Sequence, residues 1–174
     1  MNRQIETPEL GALVLVKGEG LTFRIISGLL SLLNPSWRKR KWKPWHTFFI
    51  CGHDDSRGWL ICEALGEGVC VHPLANYTSK EYRMYRWFDS PRDQNKITDF
   101  VASHLGQKYD ILVYPLTALA YLARHYWGRP VPRLFDNSWS CWELVYYFAD
   151  RMGQSFAESY DFPMINELLD SLES

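Results

Sequence analysis

Three residue types that together make a nucleophilic centre are spread along this chain as His46, Glu63 and Cys141. Cys141 lies in NSWSCWELVYYF, residues 137–148, where an apolar run begins between two tryptophans. Ser140 and Glu143 stand in the S-x-x-E relation of a capping box: the serine accepts from a first-turn amide and the glutamate reaches back. With Ser140 as N-cap, Cys141 is the first helical residue. There the unpaired amides and the positive end of the helix dipole favour a thiolate, the nucleophilic form. The same amides can hold an oxyanion during acyl transfer. A thiol in that position still needs a base.

His46 heads HTFFICG, an apolar strand that follows a basic loop. A histidine at a strand end can take the thiol proton if a third polar group orients it. Glu63 interrupts the apolar WLICEALGEGV. Burying that carboxylate unpaired costs several kcal/mol, so it needs a partner, and hairpin neighbours lie side by side. His46 on the preceding strand is the expected partner, with His72, before Pro73, as an alternate orienter. His53 falls in a turn, and His104 and His125 read as surface or cap residues on helices. No ligand pair has the short spacing of a zinc module, and KGEG lacks the ending of a phosphate loop, so neither metal nor cofactor is expected.

The elements that must position these groups divide the chain in two. GALVLVKG (Gly11–Gly18) reads as a first strand, and LTFRIISGLLSLL (Leu21–Leu33) as a helix stopped at NPS. WHTFFICG, GWLICEAL and GVCVHPL read as three strands joined by GHDDSRG and GEG, which makes antiparallel pairing the economical topology. EYRMYRWF is a further strand. Then come an amphipathic helix, DQNKITDFVASHLGQ, closed by Gly106, and a more buried one, YDILVYPLTALAYLARHYW. The loop GRPVPRLFDN, the Cys141 helix and a short PMINELLDSLE complete the chain. Strands first and helices after predict an α+β fold.

With 174 residues, 47% hydrophobic and 22% charged, the chain is expected to form one folded domain over 1–174. The net charge of −1 gives no general attraction to nucleic acid. The run WRKRKWK (Trp37–Lys43) is read as a solvated loop, although basic and aromatic together can touch phosphate, a membrane surface or RNA. The N-terminus shows no apolar leader and no segment is long enough to span a bilayer, so a cytoplasmic protein with four reduced cysteines is expected.

In order and spacing, GALVLVKGEG, a helix, WHTFFI, EALGEGVCVHPL, HLGQKYDIL and SWSCWELV resemble the circularly permuted branch of the NlpC/P60 papain-like superfamily, the YiiX/YebB-like group. Lecithin–retinol acyltransferases are more distant members. The resemblance runs from about Gly11 to Met152. It implies a permuted papain-like α+β fold, an antiparallel sheet or small barrel packed on helices, with the order His, polar residue, Cys. It also implies Cys141 as nucleophile, His46 as base, Glu63 as orienter and Tyr109 lining the site. Trp45 stands where the family often has Ser or Thr, and SCWELV replaces the more usual FCSELV. Trp45 and Trp142 are therefore expected to shape the cleft.

The expected activity is that of a cysteine peptidase or amidase, cleaving an amide, such as a cell-wall peptide, through an acyl-thioester on Cys141. A cell-wall role would require lysis, a phage vehicle or another export route. A lipid-acting acyltransferase or thioesterase of the same fold, with peripheral membrane contact, is the alternative. A non-catalytic binding module is the third reading.

Overall fold

In the computed structural model, residues 4–33, 35–86, 93–109, 138–153 and 172 are described. A six-stranded antiparallel sheet has the order β1-β6-β2-β3-β4-β5. Its strands are β1 (Gln4–Ile5), β2 (Leu13–Lys17), β3 (Pro44–Asp54), β4 (Gly58–Leu65), β5 (Gly68–Pro73) and β6 (Tyr82–Tyr85). Helices α1 (Gly20–Leu33) and α2 (Pro35–Lys39) connect β2 to β3, and α3 (Gln94–His104) follows β6. A second, parallel pair joins β7 (Lys108–Tyr109) to β8 (Ser138–Trp139), immediately ahead of α4 (Cys141–Arg151). The architecture is α+β. The expected helix and loop over residues 110–137, and the expected C-terminal helix apart from Leu172, lie outside the described residues.

The sheet is buried on both faces, which explains its unbroken apolar strands. Leu13, Leu15, Phe49, Cys62 and Ala64 enter one core cluster with α3 and α4. Val14, Val16, Phe48, Ile50 and Ile61 enter a second cluster on the opposite face. Alternation along β2 and β3 therefore feeds two cores rather than one core and solvent. α4 buries Leu144, Val145, Phe148 and Ala149, and Phe148 stacks on Phe49 of β3 with ring centroids 3.8 Å apart. That contact fixes α4 against the strand carrying His46. α3 begins at the N-cap Asp93, whose carboxylate accepts from the Asn95 and Lys96 amides.

Helix α1 ends at Leu33, as the NPS stop predicts, and Pro35 opens a separate helix, α2, as proline does at a first helical position. WRKRKWK is consequently no solvated loop: Trp37 and Trp42 are buried, while Arg38, Lys39 and Lys41 are exposed. The first strand is also preceded by the two-residue β1, which pairs with β6. Among the described residues, no helix is long and apolar enough to cross a membrane.

Candidate active site

The site starts from strand register. Phe49 faces Cys62 across β3 and β4, which sets Phe48 opposite Glu63 and His46 two residues further along the same face. His46 thus reaches Glu63 diagonally, a separation a long carboxylate side chain can span. His46 Nε2 and Glu63 Oε2 are 2.8 Å apart. Glu63 pairs directly with Cys70 on β5, and His72 lies two residues beyond on the same face. His72 Nδ1 approaches Glu63 Oε1 at 3.0 Å. The Tyr77 hydroxyl, at the end of a 3₁₀ turn over Leu74–Tyr77, donates to Glu63 Oε2 at 2.5 Å. Both carboxylate oxygens are occupied, and Glu63 is 1% exposed.

This surrounding sets the charges. Burial raises the Glu63 carboxyl, but the donors His46 and Tyr77, the His46 charge and the bond from His72 outweigh it. The carboxyl lies below its ordinary value and is ionised. Burial pulls the His46 imidazolium down, yet the charge and hydrogen bond of Cys141, with those of Glu63, push it up to about 9. His46 therefore holds its proton tightly, between the Cys141 sulfur and the Glu63 carboxylate. With Nε2 held by Glu63, Nδ1 is the nitrogen left to exchange that proton with Sγ. Burial and the bond to Glu63 push the Tyr77 phenol up, which keeps it a donor.

Cys141 arrives from the far end of the chain by a relay of short contacts. The Val69 amide donates to the Gln107 carbonyl at 2.8 Å, and the Gly106 amide to the Val69 carbonyl at 2.8 Å. Gly68 is required at this crossing: its φ is +115°, and a Cβ there would stand 2.5 Å from the Gln107 carbonyl oxygen. Gln107 in turn accepts from the Trp139 indole, and Tyr109 pairs with Trp139 across β7 and β8. At the next residue, Ser140, the capping box begins. Glu143 N donates to Ser140 Oγ at 3.2 Å, and Ser140 N donates to Glu143 Oε2 at 2.9 Å. Cys141 is the first residue of α4 and is 1% exposed. The Cys141 and Trp142 amides stand at the positive end of this helix.

Other residues singled out from the sequence are placed as follows. Tyr109 is partly buried against the main core, on the strand pair leading to Cys141. Trp45 is the extra residue at a register shift between β2 and β3, and its ring meets Phe23 of α1 edge-on at 5.5 Å. Trp142 is buried in the main core. His104 is no surface residue: it is buried, stacked on Phe100, with Nδ1 2.7 Å from the Phe100 carbonyl. His53 is exposed. His125 lies outside the described residues. Tyr77 carried no signal in the sequence, since a tyrosine in LANYTSK reads as loop; only the turn after Pro73 returns it to Glu63.

No protein-family model matches the chain, and no curated protein matches it significantly.

Proposed function

We propose that this chain is a cysteine hydrolase of the permuted papain-like kind, cleaving an amide through an acyl-thioester on Cys141. One observation carries the reading: the His46 imidazole bridges the Glu63 carboxylate, 2.8 Å away, and the Cys141 thiol at a capped helix start. The sulfur attacks the carbonyl carbon, and the Cys141 and Trp142 amides receive the developing oxyanion. The His46 imidazolium then gives its proton to the leaving amine. Neutral His46 next takes a proton from water, whose oxygen displaces the thioester sulfur; an acid is released and the thiol–imidazole pair restored. Glu63 Oε2 holds the ring in place throughout. With Cys141 1% exposed, substrate entry requires the cleft to open.

The test is capture of the intermediate. Incubation with fluorogenic peptide amides and activated acyl esters, followed by peptide mapping, is expected to show an acyl group on Cys141. The adduct should be absent from Cys141→Ala and form far more slowly in His46→Ala. A correctly folded protein that turns over neither class and never acylates Cys141 would leave the non-catalytic binding module as the reading.

The lipid-acting alternative has its own support. On α1, Leu21, Ile25 and Leu32 are exposed at spacings that put them along one stripe, and Arg38, Lys39 and Lys41 are exposed nearby in sequence. An apolar stripe with neighbouring basic residues suits an anionic bilayer surface. Trp37 and Trp42 are buried, so lipid contact would rest on α1 and the cations. Co-sedimentation with phosphatidylserine vesicles that is lost in Leu21→Asp/Leu32→Asp favours this substrate class; no binding by the unaltered protein removes it.

A further inference from the structure

The β4–β5 hairpin gathers a second group of donors: Cys70 and His72, which the hydrolytic scheme does not use, and Glu63 Oε1, the carboxylate oxygen turned away from His46. Glu63 and Cys70 are cross-strand partners, and His72 follows Cys70 by two residues on the same face. One carboxylate oxygen of Glu63, Cys70 Sγ and one ring nitrogen of His72 all lie within 4.8 Å of one another. Sγ to Nδ1 is 3.7 Å and Nδ1 to Oε1 is 3.0 Å. Atoms bound at zinc's usual distances in a tetrahedral shell stand roughly 3.3–3.7 Å apart, so small side-chain shifts suffice to close a shell. We infer that Glu63 Oε1, Cys70 Sγ and His72 Nδ1 form a binding site for a zinc-like divalent ion.

The donor chemistry selects the metal class. Thiolate, imidazole and carboxylate together suit zinc or cobalt rather than calcium or magnesium, which prefer all-oxygen shells. A second feature is independent of the three donors: His72 Nε2 lies 3.7 Å from Glu67 Oε1. Metal-bound histidines characteristically give their other N–H to a carboxylate, which fixes the tautomer. On binding, Cys70 releases its thiol proton and the His72 proton moves from Nδ1, where it bridges to Glu63, to Nε2, facing Glu67. The His72 side chain is 32% exposed, which provides a route in from solvent and a fourth position for water. Glu63 Oε2 keeps its bonds to His46 and Tyr77, because the ion uses the other oxygen.

Sequence spacing concealed this group because C-x-H on one strand meets its third donor only through the hairpin. The binding does not rest on the proposed hydrolase activity. Any effect of the ion on turnover does, since the two sites share one carboxylate.

The probe is cobalt(II), added to chelator-treated full-length protein and followed by absorbance. One equivalent should give a thiolate-to-cobalt charge-transfer band with the intense visible bands of a tetrahedral ion, and zinc should displace it. The thiolate band should vanish in Cys70→Ser, weaken more than tenfold in affinity in His72→Gln, and persist in Cys141→Ala. Glu67→Gln should weaken binding about tenfold, the usual effect of losing an outer carboxylate. Circular dichroism confirms that each variant is folded. Absence of a thiolate band, its survival in Cys70→Ser, or its loss in Cys141→Ala would each overturn the assignment.

Discussion

The two oxygens of Glu63 face different chemical settings. Oε2 meets His46 and Tyr77, beside a thiol that is 1% exposed and shares a proton with an imidazole. Oε1 meets His72, beside the half-buried thiol of Cys70, which burial and the nearby Glu63 and Glu67 charges push up to about 11. The accessible thiol is thus held as an acid, and the inaccessible one lies beside an imidazole. Exposure alone would select Cys70 rather than Cys141, the proposed nucleophile. Cys51 and Cys62 extend the contrast: buried with no histidine partner among the described residues, Cys51 is pushed up to about 12 and Cys62 further.

That contrast breaks most sharply at the sulfur. Cys141→Ala is expected to lower turnover by at least about a thousandfold, since nothing replaces the attacking atom. Steady-state hydrolysis of whichever amide acylates Cys141 measures it; retained turnover would assign the chemistry elsewhere. Next in size is the base. In metal-free protein at neutral pH, iodoacetamide should modify Cys141 in preference to Cys70, as read by peptide mass spectrometry. His46→Ala should slow labelling of Cys141 about a hundredfold and abolish the preference. Preferential labelling of Cys70 in the unaltered protein would mean that burial, not pairing, governs reactivity.

The carboxylate sharpens the comparison through pH. Leaving-group protonation needs the His46 imidazolium, so turnover in metal-free protein should fall as pH rises through about 9. Glu63→Gln removes an opposing charge, which should shift that limb to lower pH and reduce the rate about tenfold. A limb that stays in place would detach Glu63 from the imidazole. Stability follows the same sign. The folded His46 binds its proton more tightly than its ordinary value of 6.5, so its contribution is complete below 6.5 and disappears as pH rises through about 9. Smallest is Tyr77→Phe, which removes one donor to a buried carboxylate. It should cost about 1–3 kcal/mol in a urea titration and leave the alkaline limb nearly unmoved, because the His46 bond to Oε2 remains.

What the sequence disclosed was local. The capping box at Ser140 and Glu143 was readable because its partners are three residues apart, and Glu63 because a carboxylate in an apolar strand must find donors. The hairpin order of β3, β4 and β5 followed from turn residues. Less legible was anything set by return of the chain. Tyr77 reaches Glu63 only through the turn after Pro73, and β6 slots between β1 and β2 with no local signal. Trp37 and Trp42 were masked by the cations beside them; the position of Pro35 as a helix starter was the clue that separates core tryptophans from a basic loop. His104 was concealed similarly, since its burial comes from Trp139, far along the chain.

The strap at Gly68 and Gln107 has a consequence for how the protein comes into being. His46, His72 and Tyr77 find Glu63 within 17, 9 and 14 residues respectively, short loops that close quickly. Cys141 joins only after β5 has received Gly106 and Gln107 and the capped helix has docked. On a ribosome, the histidine–carboxylate cluster therefore emerges and can assemble well before Cys141 is added. The nascent chain then carries a paired histidine and carboxylate before the cysteine that completes the proposed site has been made.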